Sequence, residues 1–216
     1  MDVIRRLVNL WAECRLVGSP YLVVLLRHLT FLLRHKNIVA STSVTIHGLR
    51  NISTGGLLRI GLSHFGFMSR HDRTFLNVGG KAIFTRDFSI AKGCRFDIGE
   101  DAVASFGAGS VGPNTHFIIM HGITIGDGCA ISWGCHFLDD DFHAISYPGR
   151  TVGGSPKIEI GEHVWIGSNV SVLKGAAIPD GCVVASGSVV TKRFDHKNAL
   201  IAGNPARVVR EGVSWE

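Results

Sequence analysis

The sequence predicts a mainly β chain of short strands wound into stacked coils, preceded by a pair of α-helices and interrupted by one extruded loop. Three observations carry this. From Ile160 the chain reads IGEHVW, IGSNVS, VLKGAA, IPDGCV, VASGSV and VTKRFD, and an aliphatic residue opens each hexad: Ile160, Ile166, Val172, Ile178, Val184, Val190. Glycine is abundant, at 27 residues, against 6 prolines, which suits a turn-rich β architecture rather than low complexity. Near residue 38 the pattern changes, from helical spacing to short β-branched runs between glycines.

The elements follow in order. Residues 3–17 place Ile4, Leu7, Leu10, Trp11 and Leu16 near one helical face, with Arg5, Arg6, Asn9 and Glu13 off it. Gly18-Ser19-Pro20 then supplies a glycine stop, a serine N-cap and a proline at the first position of a second helix, which runs to about Lys36. Arg27 and Arg34 stand seven apart on that helix, as do His28 and His35, so one face is basic and the other apolar. Residues 1–37 therefore form either a helical cap on the rest of the molecule or on a partner subunit, or an interfacial segment touching an anionic membrane. The apolar run from Tyr21 to Leu33 is too short and too interrupted by Arg27 and His28 to span a bilayer. The charged start is not followed by a small-residue cleavage site, so no cleaved leader is expected.

In the repeat region, residues 38–210, each hexad makes a short strand and a turn. Its opening side chain points inward and stacks on its equivalent in the next coil, while glycine and asparagine take the turn conformations. The same phase recurs as IGDGCA and ISWGCH from Ile125 and as IGEDAV from Ile98, and residues 44–90 carry degenerate copies. Residues 211–216 read as a tail. The repeat runs regularly to Phe137, then gives way to a polar insertion, 138–158, with Pro148, Gly149, Gly153, Gly154 and Pro156. Loops on rigid scaffolds are where sites usually sit. This one opens Leu138-Asp139-Asp140-Asp141-Phe142-His143. A hydroxyl nucleophile needs a base near neutrality, histidine supplies it, and a carboxylate beside it can hold its tautomer. The lesser alternative is that the three aspartates bind a cation.

Two segments carry a resemblance: IGDGCAISWGCHFLDDDFHAI, residues 125–145, and HVWIGSNVSVLKGAAIPDGCVVASGSVVTKRFDHKNALIAGNPARVVR, residues 163–210. They resemble the hexapeptide-repeat acyltransferases, and among them the bacterial sugar and polysaccharide O-acetyltransferases together with the maltose, galactoside and xenobiotic acetyltransferases. The resemblance implies a left-handed parallel β-helix with three hexads per coil, a homotrimer, and acetyl-CoA as co-substrate without a metal. It implies O-acetyl transfer to a sugar hydroxyl in cell-surface polysaccharide or glycolipid synthesis. The implied location is the cytoplasm, peripheral to the inner membrane face where the helices touch it.

Residue by residue, the resemblance makes His143 the catalytic histidine of a D-x-D-x-H segment, with Asp139 or Asp141 as the orienting carboxylate. Across a short gap it sets Asn114, in VGPNTHF, at an acceptor contact, and a turn asparagine is the plain alternative. Trp165, Gly167 and Ser168 match the W-I-G-S run of the cofactor groove, Ala185, Ser186 and Gly187 its small-residue coil, and Thr191 and Lys192 the pair after it. Arg207 and Arg210 lie in the terminal GNPARVVR motif. Small residues admit a pantetheine arm to the backbone, and cations suit its phosphates. Trp165 is read either as a cofactor contact or as packing.

Other readings remain. His116-x4-His121 before ITIGD resembles two zinc ligands of the γ-class carbonic anhydrases. A third ligand would be His64 or His71, neither of which stands where that family places it, and the family's Arg-Gly-Asp segment is missing. A regular β-helix with helical caps could instead be a non-enzymatic assembly subunit. The net charge of +5 fits an anionic partner, but no Arg/Lys run interleaved with aromatics points to nucleic acid. The hydrophobic content of 45% excludes a disordered chain. Cys14, Cys94, Cys129, Cys135 and Cys182 form no CxxC pair and read as reduced core residues.

Overall fold

The computed structural model describes residues 2–143 and 157–216. Helices α1 (Asp2–Leu16) and α2 (Tyr21–Leu32) precede a left-handed parallel β-helix, in which each coil lays one strand on each of three sheets. We call these face A (nine strands), face B (seven) and face C (six). The hexads set the register: Ile160 pairs with Ile178 on face C, Ile166 with Val184 on face A and Val172 with Val190 on face B. All six openers are at most 3% exposed. Pairing on face C jumps from Ile125 directly to Ile160, so the inserted segment leaves the stacking of coils unbroken.

Upstream, where the repeat degenerates in sequence, phenylalanine replaces the aliphatic opener. Phe96, Phe117 and Phe137 stack on face B with ring centroids 4.5 and 4.3 Å apart, and Phe84 stacks on Phe106 at 4.9 Å. The corner between faces A and B shows why the turn residues are what they are. Its third position is left-handed in successive coils: Gly93 (φ 78°), Asn114 (φ 57°), Gly134 (φ 69°), Asn169 (φ 56°) and Gly187 (φ 73°). Glycine takes this conformation without a steric penalty and asparagine tolerates it. The asparagine side chains lie over the glycine one coil below, where a Cβ on Gly134 would come within 2.3 Å of Asn169 Oδ1.

The helices differ from expectation in their buried stripe, their cap and their length. The buried stripe of α1 is Leu10, Cys14 and Val17, packed with Val24, Val39 and Leu62, whereas Leu7, Trp11 and Leu16 face outward. The side chain of Ile4 lies outside the described residues. Pro20 itself is the N-cap of α2 and Ser19 does not cap it; its hydroxyl lies 3.2 Å from that of Thr42. Gly18 does end α1, at φ 70°, but α2 stops at Leu32 and the chain turns through His35 at φ 55°.

Of the basic face, Arg27 and His28 turn inward, whereas Arg34 and His35 are exposed. The first coil of a β-helix has carbonyls with no preceding coil to receive them, and unpaired backbone groups need donors. Arg27 donates to Ser41 O (2.7 Å) and Val44 O (2.8 Å), His28 Nδ1 to Ile38 O (2.7 Å), and Lys36 to Ile52 O. Glu13 of α1 pairs with Arg59, and the buried Lys92 donates to Val17 O (2.7 Å) at the end of α1, where a cation complements the helix dipole. At the other end a hairpin, Ala199–Gly203 with Ala206–Glu211, closes the edge of face A. Trp215 then folds back to stack on His163 at 4.3 Å. All five cysteines are free and buried, and burial pushes Cys94 up to about 12 and Cys135 to about 11. Among the described residues no helix is long and apolar enough to cross a membrane.

Candidate active site

The residues singled out in the sequence divide between the two edges of face B. At the edge toward face C, the strand His136–Leu138 ends and the chain leaves the coil. Asp139 is completely buried and accepts the backbone N–H groups of Met120 (2.7 Å), His121 (2.8 Å) and Gly122 (2.6 Å), the corner of the coil below. It fastens the base of the loop. Asp140 accepts the N–H of Phe142 at 2.6 Å through one oxygen and meets His121 Nε2 at 2.7 Å through the other. These contacts, the Phe142 N–H first and His121 second, hold its carboxyl below the usual range. The turn so formed carries Phe142 at φ 58°, a conformation a bulky residue adopts only when its surroundings impose it. Asp141 pairs with Lys174 at 2.5 Å.

His143 follows this turn and is exposed. Neither Asp139 nor Asp141, the two carboxylates expected to orient it, bonds it among the described residues, since each is engaged elsewhere. Asp140, Lys174 and the anchoring role of His121 had no local signal, because each depends on a neighbour one coil away. Thr191 and Lys192 lie exposed on this same edge, with the Lys192 ammonium 5.3 Å from the Phe194 ring centre. Residues 144–156, with Pro148, Gly149, Gly153, Gly154 and Pro156, lie outside the described residues.

The opposite edge, toward face A, holds the rest. Asn114 occupies a left-handed corner and lines a cleft of about 530 Å³ with His71, Asp72, Arg73, Arg95 and His116. The far wall comes from residues 61–73, between the strands Leu58–Ile60 and Thr74–Val78, a longer corner than the others on this edge that the degenerate repeat concealed. Phe67 on this segment packs 5.4 Å from Trp133. Burial, then the neighbouring His136 and Arg95, push the His116 pKa down. His116 faces the His136 ring at 5.0 Å while His121 is tied to Asp140, so the two histidines read as a zinc pair serve separate structures. No group of three or more His, Cys, Asp or Glu side chains among the described residues is placed to hold a metal ion.

On the same edge Ser168 Oγ lies 3.2 Å from Ser186 Oγ, one coil above. A Cβ on Gly167 would come within 2.7 Å of Ser186 N, so coil stacking alone demands glycine there. Ala185 is half-buried and Ser186 exposed. Trp165 donates to Ser132 Oγ (3.3 Å) and lies 6.2 Å from Trp215, with 41% of its surface exposed. Arg207 and Arg210 stand exposed on the terminal hairpin.

Comparison with known proteins fits this architecture. The family model for bacterial transferase hexapeptide (six repeats) matches residues 157–192. An uncharacterized 24.8 kDa protein in the cps region of Klebsiella pneumoniae is 40% identical over 99% of this chain and 97% of its own length. The hexads, the stacked coils and the matching family model decide the matter. The chain belongs to the hexapeptide-repeat acyltransferase family. Galactoside O-acetyltransferase of Escherichia coli is 34% identical over 63% of the chain and 64% of its own length. Among solved structures, AntD, an N-acyltransferase from Bacillus cereus in complex with dTDP and 3-hydroxybutyryl-CoA, shares the fold with a TM-score of 0.51 and 18% identity over 85% of this chain and 87% of its own.

Proposed function

We propose that this acyltransferase moves an acetyl group from acetyl-CoA to a sugar hydroxyl, with His143 as its general base. The observation that carries the reading is the presentation of His143 by a turn held at Asp140, at the point where a loop leaves a rigid coil. His143 takes the proton of the acceptor hydroxyl as the oxygen attacks the thioester carbonyl. The tetrahedral intermediate then collapses, the C–S bond breaks, and the same proton passes to the departing thiolate. Both neighbours with an acyltransferase name support the donor half, and the galactoside enzyme supports a sugar hydroxyl.

The acceptor would lie in the Asn114 cleft, whose mixed lining of His71, Asp72, Arg73, Arg95 and His116 offers both donors and acceptors to a polar sugar. The cps-region relative favours a place in surface polysaccharide or glycolipid synthesis, on the cytoplasmic side. Acetyl-CoA would run past Trp165, Gly167, Ser168, Ala185 and Ser186, with Thr191, Lys192, Arg207 and Arg210 available to its phosphates. Because the candidate residues occupy two edges of one face, we read the working unit as a homotrimer in which one chain's His143 edge meets the next chain's Asn114 edge. Each protomer would then comprise a helical segment (1–37), the transferase β-helix (38–210) and a tail (211–216).

The test is release of free thiol from acetyl-CoA against a panel of sugars, sugar phosphates and nucleotide sugars, with coenzyme A affinity measured by calorimetry. His143→Ala should lower turnover roughly 10²–10⁴-fold with coenzyme A affinity unchanged. Turnover within a few-fold of the parent, or absence of coenzyme A binding, would remove the assignment.

A further inference from the structure

Helix α2 packs inward through Val24, Arg27, His28 and Phe31, which leaves a row of leucines on its other side uncovered. Leu22, Leu26, Leu29 and Leu33, at helical spacing, are 71%, 63%, 54% and 83% exposed, and α1 leaves Trp11 half-exposed. Runs of large exposed aliphatics on one helix mark an interaction surface. The buried face explains the exposed one: Arg27 and His28 are spent on the open carbonyls of the first coil, so the leucines cannot also turn inward.

Charge identifies the occupant. No Asp or Glu lies between Glu13 and Asp72, while Arg15, Arg34, Lys36, Arg50 and Arg70 all fall in that stretch. Arg15 and Arg34 are exposed and make no ion pair among the described residues; Arg15 leans over Trp11 at 5.7 Å. A second copy of the chain docking through this face would bring like-charged rims together. An anionic lipid surface presents the opposite charge, together with an apolar layer for the leucines. We propose that the outer face of α2, with Trp11, Arg15 and Arg34, docks the protein on an anionic bilayer surface as a monotopic anchor. This stands independently of the transferase reading.

The test is co-sedimentation of the full chain with phosphatidylcholine vesicles and with vesicles containing 30% phosphatidylglycerol, with no substrate present. The protein is expected to bind the anionic vesicles, to bind the neutral ones at least tenfold more weakly, and to be released by salt. Arg15→Gln with Arg34→Gln, two exposed sites that leave the fold intact, should weaken binding by roughly thirty-fold, from about 1 kcal/mol per cation at the surface. The triple change Leu26→Ser, Leu29→Ser, Leu33→Ser should abolish binding with an unchanged circular dichroism spectrum. Equal binding to both vesicle types, or no binding to either, overturns the proposal. So does a triple variant that still binds vesicles but falls to a smaller oligomer in light scattering, because the face would then be a subunit contact.

Discussion

The two edges of face B are built from the same six-residue rule and have opposite characters. On the edge toward face A most corners close in four residues, and the Gly/Asn column at positive φ settles each turn within the backbone and its neighbouring coil. On the edge toward face C the coil carrying the strand His136–Leu138 does not close, and side chains take over what the backbone does elsewhere. There Asp139 binds three N–H groups, Asp140 holds a left-handed Phe142, and Asp141 pairs with Lys174. A regular corner specifies shape alone. An interrupted corner needs carboxylates to hold it, and so gathers the charged groups from which chemistry can be made.

Four substitutions or titrations would break or sharpen this contrast. The largest effect is that of His143→Ala on turnover, already given, which should leave the thermal midpoint unchanged because the side chain is exposed. Next, Asp139→Ala should cost about 3 kcal/mol of stability by leaving backbone donors without an acceptor, read as a fall in the denaturant midpoint. An unchanged midpoint would deny it a role in fastening the loop. On the opposite edge, Asn114→Ala should cost about 1 kcal/mol through its left-handed backbone, whereas Asn114→Gly should be nearly neutral for folding. If Asn114→Gly nevertheless raises KM for the acceptor, the asparagine contacts substrate as well as turning the chain.

The smallest effect is a pH dependence. The His116 pKa is lowered in the fold, so the unfolded chain takes up a proton first. Stability should therefore fall as pH drops below about 6.5, and His116→Gln should remove that part of the decline in a series of thermal scans. The Asp140 anchor behaves differently: its carboxyl is held low, so its contribution is complete above about pH 4 and is lost only as pH falls through the lowered value. The anchored turn should thus outlast the His116 decline.

What could be read from the sequence follows from how far each signal reaches along the chain. Ile160, Ile166, Val172, Ile178, Val184 and Val190 announce their burial because period six is a local pattern, and the register repeats it. Phe96, Phe117 and Phe137 perform the same task, but an aliphatic template passes over them. The heptad pairs Arg27/Arg34 and His28/His35 suggest one basic face, yet α2 ends at Leu32 and of these only Arg27 and His28 meet the β-helix. That is decided by the carbonyls of Ile38, Ser41 and Val44 at the open end of the first coil, which no helical pattern encodes. His143 was visible from the break in the repeat. The partners of Asp139, Asp140 and Asp141 were not, since Met120–Gly122 and Lys174 are brought near only by the winding of the coil.

The winding also acts as a ruler. On face B the strand that launches the His143 loop is the fifth, four steps from the first coil against which α2 packs. At about 4.8 Å between neighbouring strands, those steps set a height on the order of 19 Å between the helical base and the reacting group. If the base rests on a lipid surface and the acceptor is a membrane-anchored glycan, as proposed, the hydroxyl that reaches His143 would belong several sugars out from the anchored end, and adding or removing one whole coil would shift that position without altering a single residue of the loop.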